Sequence, residues 1–308
     1  MKIKAIIPAA GFGTRFLPTT KSVPKELLPI VDKPAIQYVV EEGINSGIKD
    51  FVMVTSKNKK AIEDHFDNFS ELETILKNHK NESLLEISQI IEKSNFLFIR
   101  QREQLGLGHA IWTARSAFND EHVAVFLPDD IFTCEIPAMA QLIKIATQEK
   151  CNVIAVQEVP KEDVSRYGII DVRRQLSPNL FHVKDLIEKP AINKAPSNLA
   201  IIGRYVLSPN IFSSLDNLQF GAGGEVQLTD GIQNLLLSGE KVFAYKVQGQ
   251  RFDAGTIFGW LKTNIEFALK HPKYSKDTIE YLSMLDKEFL IMQSKADALK
   301  KRVTKLSF

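Results

Sequence analysis

Short β-branched runs alternating with helical periodicity, through the first half of this 308-residue chain, restrict its architecture more than any other feature. IKAIIP (3–8) and FVMVTS (51–56) read as buried strands separated by the helical AIQYVVEEGINSG. FLFIRQ (96–101), VAVFLP (123–128) and NVIAVQEV (152–159) continue the series, with helical stretches around 107–118 and 136–149 between them. Parallel strands need crossover connections, so this alternation predicts a mostly parallel, doubly wound α/β sheet. Ligands on such sheets bind beyond the carboxyl ends of the strands. Residues 58–94 interrupt the pattern with two or three amphipathic helices, read as an insertion. From 160 to 206, YGIIDV, FHVKDLIEKP and LAIIGRYVLS predict a mixed sheet layered over the first. From about 256 onward the tail reads as helical.

The segment PAAGFGTRFLPTTKSVPKELLP (8–29) follows the first strand. It is no dinucleotide fingerprint, because position 16 is Phe, and no Walker A loop, because Thr14 and Arg15 follow Gly13. Glycine and small residues leave backbone N–H groups free to face an anion. Arg15 adds a planar fork for phosphate oxygens and Lys25 a compact cation. Gly11-Phe12-Gly13 alone also fits an ordinary tight turn. Gly11, Gly13, Arg15 and Lys25 on one loop after a buried strand point to a polyphosphate.

Other polar groups fall at predicted strand ends. FLPDD (126–130) sets two carboxylates where Mg²⁺ could be held with phosphate oxygens, or where a turn could be capped. In QRFDAGT (250–256), small residues after Asp253 permit close approach. IEKP (187–190) offers Glu188 for sugar hydroxyls and Lys189 for a monophosphate. Gln101 in QREQLGLGHA (101–110) has both a donor and an acceptor, as reading a base edge requires. His109, inside this helix start, reads as a packing residue or as a support behind the site.

Composition narrows the function classes. A net charge of +2 argues against a general binder of nucleic acid or anionic membrane. Cys134 and Cys151 lack metal-type spacing and read as free thiols of a reducing compartment. No apolar run approaches the roughly 18 residues of a membrane span. The first ten residues lack a signal-peptide layout, so a cytoplasmic location is expected.

Taken in order, these motifs resemble the sugar nucleotidyltransferases, and closely the bacterial UTP–glucose-1-phosphate uridylyltransferases. PAAGFGTRFLPTTKSVPKELLPIVDKPAIQYVVEE, IEDHFDNFSELE, RQREQLGLGHAI, FLPDDI, RYGIIDV, LIEKP, GAGGEVQLTDGI and RFDAGT carry the resemblance through nearly the whole chain. Departures are Ala9 for a common Val, Ala254 for a common Cys, and Asp130 where an apolar residue can occur. The resemblance implies one α/β domain over 1–308, with a Rossmann-like doubly wound mixed sheet. A sugar-binding part is expected at 160–206 and a C-terminal helical segment at 256–308.

The resemblance also implies site roles. Ala9, Ala10, Gly11, Gly13, Glu26, Gln101 and Gly106 fall on the nucleotide; Arg15 and Lys25 on its phosphates as the catalytic pair. Gly168, Glu188, Lys189 and Gly203 fall on the sugar phosphate, and Asp129 and Asp253 on Mg²⁺. Substrates are then UTP and glucose 1-phosphate, products UDP-glucose and pyrophosphate, and the assembly a homodimer or homotetramer. A thymidylyltransferase remains an alternative, because one methyl discriminates by only about 1–3 kcal/mol. So does a non-catalytic relative that binds nucleotide sugar.

Overall fold

The computed structural model describes residues 1–68, 82–216, 221 and 224–287. The first strand, β1 (Ile3–Pro8), is flanked on both edges by parallel strands. On one side lie β4 (Asp50–Thr55) and then β5 (Asn95–Arg100). On the other lies β6 (His122–Phe126). Two short hairpin strands, β2 (Pro29–Ile30) and β3 (Lys33–Pro34), precede β4. The direction of winding reverses between β1 and β6, and the crevice there is the ligand position of a doubly wound sheet.

β1 is buried on both faces because helices cover both. Ala5 and Ile7 pack under α1 (Ala35–Asn45) and α5 (Ala138–Glu149), through Ile36, Val39, Met139 and Leu142. Ile6 packs on the opposite face under α4 (Leu107–Thr113) and α7 (Leu228–Leu237). The insertion contains α2 (Lys60–His65) and α3 (Glu82–Lys93); its middle, 69–81, lies outside the described residues. A short α6 (Ile211–Leu215) packs beside α7. In the tail, α8 (Ile257–Lys270) covers a small cluster of Ile30, Ile131 and Phe252, and 275–287 are helical. The basic end at 300–305 lies outside the described residues.

The strands of 160–206 do not form a separate layer. β11 (Leu199–Leu207) pairs antiparallel with β6 through Arg204↔Phe126 to Leu207↔Val123, and with β8 (Asn152–Glu158) on its other edge. Among the described residues nine strands therefore make one sheet, which continues through β12 (Val242–Lys246), β10 (Leu180–Glu188) and β9 (Gly168–Ser177). β9 returns to β11 at Ala200↔Ile169. All nine residues of β11 are buried, so it must be paired on both edges and covered on both faces. That makes it the sheet's central joint. A last pair, β7 (Asp130–Thr133) with β13 (Gln250–Asp253), stands just beyond the end of β6.

Candidate active site

The loop after β1 begins as a continuation of the strand: the Ala9 N–H still donates to the Val54 carbonyl at 2.8 Å. Ala9 and Ala10 are buried, so their small side chains let the main chain run close beneath the crevice. Gly13 then takes a left-handed conformation (φ 67°), and the Thr20 hydroxyl donates to its carbonyl at 2.8 Å. Three short 3₁₀ turns, the last at Lys25–Leu27, bring the chain back across the end of β6. Arg15 Nη1 reaches the Gly255 carbonyl at 3.4 Å, and Lys25 Nζ donates to Asp129 Oδ2 at 2.7 Å.

The β7–β13 pair supplies the second carboxylate. Asp253 stands opposite Asp130 in that register, and the Ala254 N–H donates to the Asp129 carbonyl at 2.8 Å. A methyl group placed on Gly255 would lie 2.9 Å from Asp129 Oδ2 and 3.0 Å from Asp253 Oδ1. Two carboxylates from distant segments thus converge on a space left free by a glycine. Two oxygens of this kind, completed by phosphate and water, suit a hard divalent cation. Among the described residues no group of three or more His, Cys, Asp or Glu could cage a metal alone. Burial alone would raise the Asp129 carboxyl, but Lys25 outweighs it and holds the group below the usual range. Burial likewise opposes charge on Lys25, yet Asp129 and Glu26 keep its pKa above normal.

Asp130 turns the other way. Its carboxylate accepts from the Gly203 N–H at 2.8 Å and from Arg251 Nε at 2.8 Å. Gly203 is needed there, because a Cβ would approach Asp130 Oδ2 to 2.6 Å. Both main-chain groups of Gly203 are engaged within the protein, its carbonyl by the Leu127 N–H and Arg204. Arg204 is fully buried: it grips Glu42 in a fork, sets its guanidinium 5.0 Å from the Phe126 ring and 4.8 Å from the Phe132 ring, and donates to the Leu127 and Asp130 carbonyls. This network fixes the turn that carries Asp129. Sequence reasoning missed it, since nothing near Arg204, Arg251 or Glu42 marks partners 162 and 121 residues away.

A cleft of about 540 Å³ opens over this turn, walled by Ala10, Gly11, Glu26, Gln101, Gly106 and Asp129 among others. Gly106 sits at φ 105° with Val226 O only 2.7 Å from where a Cβ would be, so no larger residue fits at the head of α4. Gln101 is buried; its amide nitrogen donates to the Gly106 carbonyl at 3.3 Å and lies 2.8 Å from His109 Nδ1. Burial lowers the His109 pKa, which keeps the ring neutral and able to accept. His109 therefore orients Gln101, the supporting role that the sequence left open beside packing. Glu26 is buried with Oε2 2.5 Å from Lys59 Nζ, while its Oε1 has no hydrogen-bond partner among the described residues. Burial lowers the Lys59 pKa against the pull of Glu26. Lys59 was also missed, hidden in the charged run KNKK.

The remaining expected residues stand at the paired ends of β9 and β10, where Glu188 faces Gly168 in register. Thr229 donates its hydroxyl to Glu188 Oε2 at 2.6 Å. Lys189 takes a left-handed conformation (φ 45°), its N–H donates to the Tyr167 carbonyl, and its half-exposed ammonium lies 3.4 Å from Glu188 Oε1. Arg251 links this corner to the carboxylates, with its guanidinium 5.7 Å over the Tyr167 ring. Burial pushes the Cys134 thiol up to about 11 and Cys151 to about 12, so neither is a nucleophile at neutral pH.

Residues 4–268 match the nucleotidyl transferase family. The chain belongs to it. A relative from Staphylococcus epidermidis named UTP–glucose-1-phosphate uridylyltransferase is 50% identical over 284 residues, 92% of this chain and 98% of its own. The nucleotidyl transferase architecture is shared with a UDP-glucose pyrophosphorylase solved in complex with UDP-glucose: TM-score 0.82, 39% identity, 88% of this chain and 100% of that one. A UTP-bound enzyme of the same kind from Acinetobacter baumannii gives 0.83 and 39%, over 92% and 99%. The α/β fold with a mixed sheet expected from sequence is that of this family.

Proposed function

We propose that this chain transfers the uridylyl group of UTP to glucose 1-phosphate, yielding UDP-glucose and pyrophosphate. The observation that carries it is the convergence of Asp129, Asp253, Lys25 and Arg15 beyond the β1–β6 crevice, in a chain half identical to enzymes named for that reaction. A binding module has no need of such a set.

Little acid–base work is required. A sugar phosphate with a second pKa of about 6 is mostly dianionic at pH 7 and already nucleophilic. The obstacle is the meeting of two polyanions. Arg15 and Lys25 screen that repulsion at the nucleotide phosphates, and Lys189 does so at the sugar phosphate. Asp129 and Asp253 would hold Mg²⁺, which when bound neutralises charge on the phosphate oxygens. Without substrate, Lys25 already balances Asp129, so neither charge is stranded in the crevice.

At the base, both hydrogens of the Gln101 amide are committed, leaving its carbonyl oxygen as an acceptor. An acceptor suits the N3–H of uracil and rejects the bare N3 of cytosine. Glu26 Oε1, a buried acceptor unpaired among the described residues, suits a ribose hydroxyl. Ala9, Ala10, Gly11, Gly13 and Gly106 give main-chain access to the nucleotide; Gly168 and Glu188 serve the sugar. Gly203 serves it indirectly, by seating Asp130. Among the described residues no helix is long and apolar enough to cross a membrane. A cytoplasmic homodimer or homotetramer completes the reading.

The test is pyrophosphate release with glucose 1-phosphate and Mg²⁺, comparing UTP, dTTP, CTP, ATP and GTP. A UTP preference abolished by EDTA is expected. Preference for dTTP would move the chain to the thymidylyltransferases, and binding without turnover to the non-catalytic relatives.

A further inference from the structure

Beside the substrate cleft lies a second cavity of about 230 Å³. Its walls are the loop 20–24, the turn 56–59 after β4 and the turn 100–104 after β5. Five basic residues line it, Lys21, Lys57, Lys59, Arg100 and Arg102, and no carboxylate does. Arg15 and Lys25, the cations assigned to the substrate phosphates, are not part of its lining. Lys59 is held by Glu26, but the other four have no ion-pair partner among the described residues.

An ordinary solvated surface intersperses its charges; here one sign gathers around a concavity. Such a hollow focuses positive potential and concentrates anions. The base of the hollow is built rather than open: Ser56, Lys59 and Gln101 are all buried. It is also wired to the neighbouring cleft. Gly11, Phe12, Gln101 and Gln104 line both spaces, and Lys59 reaches from its wall to Glu26, which lines the cleft. The volume admits a compact phosphate or diphosphate group but not a second nucleoside triphosphate.

We propose that this cavity is a second anion site, taking a phosphate- or diphosphate-bearing ligand while the nucleotide occupies the cleft. An anion there draws on Lys59 in competition with Glu26, so its occupancy is felt at the nucleotide, and by linkage the nucleotide alters its binding. Two sources share this chemistry: the pyrophosphate released by the reaction, and a phosphorylated small molecule from solution. The inference rests on the cleft being the nucleotide site.

Calorimetric titration of the full chain, saturated with UTP and Mg²⁺ and without glucose 1-phosphate so that no turnover occurs, tests it with pyrophosphate and with inorganic phosphate as probes. The wild type should take up one equivalent. A Lys57→Ala/Arg102→Ala double variant, changing two exposed side chains without ion-pair partners among the described residues, should bind at least tenfold more weakly while keeping its UTP affinity. Pyrophosphate favoured tenfold over phosphate identifies the product as the source, and the variant then needs more pyrophosphate in the reverse reaction. Equal binding of phosphate identifies a phosphorylated molecule from solution. No uptake of either probe by the UTP-saturated wild type, or undiminished binding by the variant, overturns the proposal. Failure of UTP itself to bind would instead sink the uridylyltransferase reading, and titration of the unliganded protein would still read the cavity.

Discussion

Replacing Lys25 with alanine separates transition-state stabilisation from substrate binding. The ammonium is held 2.7 Å from Asp129 Oδ2, and Asp129 and Glu26 outweigh burial to keep it charged at neutral pH. A unit charge about 4 Å from charge gathering on the transferred group is worth about 4 kcal/mol at an effective dielectric of about 20. Water entering the space left by the side chain recovers part of that. Removing one preorganised donor then costs on the order of 10²–10³ in kcat, about 2.7–4 kcal/mol. The Asp129 side chain is 28% exposed and can rehydrate, so folding stability should fall by no more than about 1 kcal/mol. The assay is steady-state pyrophosphate release with each substrate varied in turn, alongside urea unfolding. Turnover within tenfold of wild type, combined with a large rise in KM for glucose 1-phosphate, would refute the assignment, because that pattern marks uniform binding.

Three further outcomes follow from the same geometry. Lys189→Ala removes a half-exposed charge at the sugar corner, and should raise KM for glucose 1-phosphate about ten- to a hundredfold with a smaller change in kcat; initial rates at saturating UTP check it. Lys59→Met strands the buried Glu26 carboxylate and should cost about 3–5 kcal/mol in urea unfolding, most of it restored when Glu26→Gln is added. A loss below about 1 kcal/mol would mean that Glu26 does not need its partner. Asp129 has a depressed pKa in the folded chain, so its contribution is present above the unfolded carboxylate pKa and is lost as pH falls through the folded value. The stability gap between wild type and Asp129→Asn should therefore shrink in acid, as unfolding from pH 7 downward would measure.

The parallel half of the fold was legible because its inner strands are buried on both faces and read as continuous apolar runs, and the half-exposed edge strand β5 still reads as the apolar FLFI. β1, β4, β5, β6 and β8 lie within a residue or two of the segments expected. Strands β9 to β11 were also recognisable one by one, but not their place in the sheet. LAIIGRYVLS reads the same whether it caps a sheet or joins two halves of one; only pairing with both β6 and β8 decides that. The short strands β7 and β13 left no periodic trace, being four residues each and held by each other.

The site divides along a similar line. Arg15, Lys25, Asp129 and Asp253 were legible as candidates because each sits in a local motif whose spacing already limits what the backbone can do. What was illegible is the means of holding them. Asp129 and Asp130 are indistinguishable in FLPDD, yet one meets Lys25 beside the cleft and the other is locked between Gly203 and Arg251. The deciding partners come from β11 and β13, far along the chain and in no motif with the pair. Arg204 extends the point: it contributes no chemistry at the crevice, but its grip on Glu42 and on two carbonyls of the turn fixes the direction in which Asp129 leaves β6. Groups that act on substrate tend to cluster on loops at strand ends, where sequence spacing exposes them. Groups that orient those loops are buried singletons, and only the completed sheet brings them into register.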